Sequence, residues 1–122
     1  MKFFSKKELG DFGEAKAKEY LKTKGLKFIQ SNFKYFKKEI DLIFYDKKNK
    51  IIIFVEVKTR MSKVFGEPED AINHFKQINI RQAASGFLKN YPEYDEYDIR
   101  FDSVSVYMGN EKPEINHIEN AF

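Results

Sequence analysis

Three charged residues at the ends of two apolar runs are the part of this sequence best suited to chemistry. Asp41 stands in Glu39-Ile40-Asp41-Leu42-Ile43, and Glu56 and Lys58 stand in Phe54-Val55-Glu56-Val57-Lys58. If the two runs pair as a hairpin, the acids face each other with Cβ atoms roughly 4.5–5.5 Å apart, where like charges repel. A divalent cation relieves that repulsion. Mg²⁺ takes octahedral oxygen ligands at about 2.0–2.1 Å, and one or two carboxylates usually suffice because water and substrate phosphate fill the other positions. An amine two residues beyond Glu56 lies on the same side of an extended strand. There it can orient an attacking water and offset charge growing on a phosphate. The chemistry that suits this set is phosphodiester hydrolysis.

The elements that must position these groups are legible on either side of Asp46-Lys47-Lys48-Asn49-Lys50, a charged turn cluster between runs rich in Ile, Val, Phe and Tyr. A loop of two residues (Lys48, Asn49) or of four (Lys47 to Lys50) gives one register, in which Asp41 opposes Glu56 and Glu39 opposes Lys58. Period-two alternation then places Ile40, Leu42 and Phe44 with Val57, Val55 and Ile53 on one apolar face. The other face carries Tyr45, Ile43, Ile52 and Phe54 and ends in Asp41, Glu56, Glu39 and Lys58.

Ser5-Lys6-Lys7-Glu8 has the form of a capping box, and Leu9, Phe12, Ala17, Tyr20 and Leu21 follow at helical spacing. This predicts a helix from Lys6 to Lys24 with Gly25 as its stop. Gly10 and Gly13 inside it suggest close backbone approach to the sheet or a ligand. Leu26 to Phe33 reads as a strand. Phe33, Tyr35 and Phe36 among Lys34, Lys37 and Lys38 suit either base stacking in a basic groove or cover for a sheet edge. Met61 to Pro68 is an aperiodic loop. Glu69 to Lys89 reads as a helix buried through Ala71, Ile72, Phe75, Ile78, Ala83, Phe87 and Leu88, with Lys76 and Arg81 off the stripe. Asp98 to Tyr107 gives another strand, and Ile115 to Ile118 a short edge strand. His74 and His117 have no metal-ligand spacing and read as structural or exposed. The order α-β-β-β-α-β predicts an α/β domain of two or three layers with a mixed sheet.

Composition narrows the class. At 122 residues the chain reads as one domain, 1-122. It has no cysteine, so thiolate zinc sites and disulfides are excluded. No apolar run reaches the ~18 residues of a membrane span, and the first residues lack a signal-like apolar stretch; a cytoplasmic location and no membrane partner are expected. Charge is uneven: residues 1 to 38 hold eleven lysines against four acids, net +7, and the remainder is net −4. A basic half beside a carboxylate cluster is compatible with a polyanion, as it is with a solvated lysine-rich face.

Asp41 followed by Glu56-Val57-Lys58 resembles the metal-binding core of the PD-(D/E)XK, restriction-endonuclease-like superfamily. The wider set is similar to the YraN-like family of small bacterial proteins. That set comprises Gly10-Asp11-Phe12-Gly13-Glu14 with Ala17 and Tyr20-Leu21, Glu39 to Ile43, Phe54 to Arg60, Phe65-Gly66, Lys76, Ala83-Ala84 and Arg100-Phe101-Asp102. It runs over nearly the whole chain, with one departure: Lys38 stands where the family usually has Gly.

The resemblance implies a restriction-endonuclease-like mixed sheet flanked by helices and a metal-dependent nuclease acting on DNA, branched or junction DNA included. It implies Mg²⁺ or Mn²⁺ held by Asp41, Glu56 and the Val57 carbonyl, with Glu14 as third carboxylate, and Asp41, Glu56, Lys58 and Glu14 as the catalytic set. Arg60, Lys76 and Lys38 are the expected contacts to nucleic acid, and the superfamily includes homodimers. Two competing expectations stand beside it: a nucleic-acid-binding module of the same fold without turnover, and solvated acids with a Glu39–Lys58 surface pair worth under ~1 kcal/mol.

Overall fold

The computed structural model describes residues 5–61, 72–109 and 111–122. Ser5 opens the first helix: its Oγ accepts the Glu8 N–H at 3.1 Å, and the Glu8 carboxylate accepts the Ser5 N–H at 3.1 Å. This reciprocal cap satisfies two otherwise orphaned donors, and α1 runs Lys6–Thr23. Gly25 stops it with φ +83°, a left-handed conformation that glycine adopts without a Cβ clash.

The strands are β1 (Lys27–Tyr35), β2 (Lys38–Asp46), β3 (Ile51–Arg60), β4 (Asp98–Tyr107) and β5 (Glu114–Ile118), with α2 (His74–Lys89) between β3 and β4. They form one sheet in the order β1-β2-β3-β4-β5. Tight turns make β1–β2 and β2–β3 antiparallel, whereas the crossover through α2 makes β4 parallel to β3. The expected mixed α/β sheet with flanking helices is therefore present, as three layers with one helix on each face. The aperiodic stretch 62–68, with Phe65 and Gly66, the expected helix start at Glu69, and Ala71 all lie outside the described residues. No helix among the described residues is long and apolar enough to cross a membrane.

The hairpin register is the expected one, from Asp46 with Ile51 to Leu42 with Val55. Its turn is the four-residue form. Asp46 holds it through the Asn49 backbone N–H at 3.1 Å and side-chain amide at 2.8 Å, and Lys50 takes the positive φ.

On the α1 face Ala17 and Leu21 pack with Leu42, Phe44, Ile53, Val55, Val104 and Val106. On the α2 face Ile80, Ala83, Ala84 and Phe87 pack with Ile40, Ile43, Ile52, Phe54 and Phe101. Ile40 thus belongs to the opposite core from the one expected. It shares a cluster with Ile43, an odd number of positions along the strand, so strict alternation fails between them; across the sheet at this point Asn32 takes φ +53°.

Helix α2 also differs in phase. Phe75 is 73% exposed and Ile78 40% exposed, while Ile80, Ala83, Ala84 and Phe87 are buried. The inward stripe is set by those four residues, and one turn back from Ile80 it reaches Lys76, which therefore lies on the sheet side of the helix. A stripe that runs through Phe75 and Ile78 leaves Lys76 outside it, and those two residues are the ones exposed.

The two interior glycines of α1 differ. A Cβ on Gly13 would collide with the Thr59 side chain, so the helix backbone rests directly on β3, whereas Gly10 meets nothing within 4 Å.

Candidate active site

The β2–β3 ladder ends at Leu42 and Val55 although both strands continue. Past that point the Asp41 carboxylate replaces the backbone as partner, and its Oδ2 accepts the Val57 N–H at 2.8 Å. In an extended strand a residue's N–H and C=O point to one edge. The Val57 carbonyl is thereby turned to the same gap beside Asp41.

Glu56 is only 4% exposed, and its carboxyl is in hydrogen-bonding contact with that of Asp41. Burial, then the neighbouring Glu56 charge, push the Asp41 pKa up to about 8, even though the Val57 N–H works in the other direction. Lys76 Nζ reaches Glu56 Oε1 at 2.5 Å from α2. Burial alone would lower the lysine pKa, but the bond to Glu56 and the charges of Asp41 and Glu39 raise it on balance. The acids line a cavity of about 370 Å³ together with Lys37, Lys38, Glu39, Phe75 and Lys76.

The other expected residues are placed less centrally. The β2–β3 ladder stops at Leu42 and Val55, so the expected opposition of Glu39 and Lys58 is not a ladder pair; on its other edge Glu39 pairs with Lys34 of β1. The Asn32 side-chain amide, with its nitrogen toward the acids, donates to Glu39 Oε1 at 3.0 Å and Glu14 Oε1 at 3.1 Å. Glu14 is half-buried on α1; burial, then the charge of Glu39, raise its pKa. It bears on Asp41 as a charge. Among the described residues, no group of three or more acidic or histidine side chains gathers closely enough to hold an ion unaided. Lys58 and Arg60 continue β3 beyond Glu56, opposite Ser105 and Tyr107 of β4, and neither is among the residues walling the cavity. Lys38 and Lys76 do wall it.

One cluster escaped the sequence reading. Asp102 is fully buried on the α1 face, where it accepts from Arg100 Nε and Nη2, both at 2.9 Å, and from the Asn120 N–H at 3.2 Å, and pairs with His117 Nε2 at 2.8 Å. Burial opposes its charge, but the His117 and Arg100 bonds outweigh burial and hold its pKa below the ordinary carboxylate value. The signal was an acid in phase with Val104 and Val106 on a buried face. His117 is structural, as expected, with its partner fifteen residues away.

Residues 13–106 match the model of the Uncharacterised protein family UPF0102. The chain belongs to that family. It is the YraN-like group to which the motifs pointed. A UPF0102 protein of Alkaliphilus oremlandii is 42% identical over 117 residues, covering 95% of this chain and 98% of the relative. One from Syntrophomonas wolfei is 44% identical over 116 residues, with 95% and 98% covered. One from Caldanaerobacter subterraneus is 42% identical over 125 residues, with both chains fully covered.

Proposed function

We propose that this UPF0102 chain is a divalent-cation-dependent nuclease that hydrolyses phosphodiester bonds in DNA, with branched DNA among its substrates. The observation that carries this reading is the contact of the Asp41 and Glu56 carboxyls at a break in the sheet, with the Asp41 pKa displaced to about 8. Two nearly buried acids in contact are costly unless a proton or a cation lies between them. The donor set fits Mg²⁺ or Mn²⁺: hard oxygens from Asp41, Glu56 and the Val57 carbonyl, with Glu14 the further acid nearby.

Bound there, such a cation supplies Lewis-acid polarisation of a phosphate and a more acidic water. The chain's own groups do the rest. Without the cation Asp41 carries the proton held between the acids, since the Lys76 ammonium already sits on Glu56, and that proton leaves to water as the cation takes its place. Lys58, two residues on along β3, orients the attacking water through its N–H donors and offsets charge on the phosphate. Lys38 at the cavity wall and Arg60 at the strand end bind phosphate oxygens, the guanidinium two at once.

Calorimetric titration of Mg²⁺ or Mn²⁺ tests the cradle: heat is expected with wild type and is lost with Asp41→Ala. Incubation of duplex, single-stranded, flap and four-way-junction DNA with metal tests turnover. Products that vanish with Lys58→Ala support the nuclease, and shifted bands without products from any substrate overturn it. The Lys76–Glu56 contact favours that second outcome, a binding module without turnover, because it gives Glu56 a charge partner within the chain.

A further inference from the structure

Phe36 and Phe75 are the most exposed large apolar side chains among the described residues, at 83% and 73%. Phe75 belongs to the lining of the Asp41–Glu56 cavity, and Phe36 adjoins that lining in sequence. Phe75 reaches it from the first turn of α2, and Phe36 occupies the apex of the β1–β2 hairpin, immediately before the lining residues Lys37 and Lys38.

Neither ring is explained by the core, and one stands on a costly backbone. Phe36 has φ +57°, a conformation that bulky L-residues rarely adopt. It is also firmly backed. The Phe36 ring meets Tyr35 edge to face at 4.8 Å, and Tyr35 lies so close on α2 that a Cβ at Gly86 would collide with its ring. A second exposed ring followed by an amine occurs in the cavity lining as Phe75 followed by Lys76, although the Lys76 ammonium is paired with Glu56. Alternating π-faces and cations match one polymer: a nucleic-acid strand, whose bases stack on rings while its phosphates meet amines. In a duplex the base faces are covered by their neighbours, so such a rim selects bases that are unpaired.

We propose that Phe36 and Phe75 are stacking residues for unpaired bases, so that the substrate enters the cavity as a single strand or at an unpaired site in branched DNA. This deepens the nuclease reading and rests on it for the identity of the cavity, but binding is measurable without metal or turnover. The chain has no tryptophan, so Phe36→Trp introduces a single reporter.

The probes are a fluorescein-labelled oligothymidylate, an abasic oligomer of equal length and a duplex, in EDTA. Wild type is expected to bind the oligothymidylate more tightly than the other two. Phe36→Ala and Phe75→Ala each weaken it roughly tenfold while leaving the abasic strand unchanged. Indole emission of the Phe36→Trp variant is quenched by unlabelled base-bearing strand alone. Equal affinity for base-bearing and abasic strands in wild type, or unaltered binding by both alanine variants, overturns stacking and leaves the nuclease reading standing. Failure of all three probes to bind overturns a nucleic-acid partner for this rim, and the metal titration then judges the acid pair separately. Cleavage that fails while stacking holds sinks only the turnover.

Discussion

Two buried acids lie in adjacent registers of neighbouring strands and face opposite ways: Glu56 of β3 toward α2, and Asp102 of β4 toward α1. Asp102 is surrounded by donors from Arg100, His117 and the Asn120 backbone, and its pKa falls. Glu56 is set against a second acid, whose pKa climbs to about 8, and its basic partner, Lys76, has a half-exposed side chain. The first arrangement is a completed network and reads as architecture. The second holds two carboxyls in one buried site, where one must keep its proton unless a cation is present, an arrangement that stability alone does not call for. The difference separates the acid that holds the sheet from the acids for which a cation is proposed.

The contrast can be broken most severely at Asp102. Asp102→Asn strips the charge that Arg100 meets in the interior, and loss of one partner in such a pair costs about 3–5 kcal/mol; urea unfolding at pH 7 measures it. Because the folded pKa is depressed, the stability Asp102 contributes is present above the ordinary carboxylate range and is lost as pH falls through the folded value. The variant should therefore flatten the acid limb of the stability profile.

Asp41 has the opposite sign. Its folded form keeps a proton that the unfolded chain has released above about pH 4, so its contribution declines as pH rises to about 8. Asp41→Asn removes that loss, so it is expected to gain on wild type progressively from about pH 4 to about pH 8, by at most about 1.4 kcal/mol per pH unit, and to differ little at pH 4. Denaturant midpoints at the two pH values give the comparison, and an equal effect at both would remove the distinction between the faces.

The smallest effect is expected at Lys76. Lys76→Met removes a cation whose side chain is half in water, worth under ~1 kcal/mol once solvent screening is allowed for. It should nonetheless strengthen Mg²⁺ binding severalfold in calorimetry by freeing Glu56. Unchanged or weaker binding would show that the lysine does not compete for that oxygen.

Much of this was legible from residue order. Ser5 and Glu8 gave the first helix, and Asp46 to Lys50 gave the hairpin and its register, because both signals are local and backbone-specific. The pairing of Asp41 with Glu56 followed from that register, although the contact is made by side chains beyond the end of the ladder. What could not be read depended on departures from ideal periods. Ile40 changed faces where alternation lapsed, and Lys76 turned inward because the α2 stripe runs through Ile80 and not through Phe75 and Ile78. Asp102 was hidden because its partner His117 comes from the last strand, and no spacing rule links them.

The parallel join of β3 to β4 also bears on the order in which the chain assembles. The β1–β2–β3 meander closes through short loops and can form early, bringing Asp41 and Glu56 together, whereas Lys76 arrives only when the crossover docks. The acid pair is then formed before its internal counter-ion, so divalent ions and pH are expected to act on folding rate as well as on final stability.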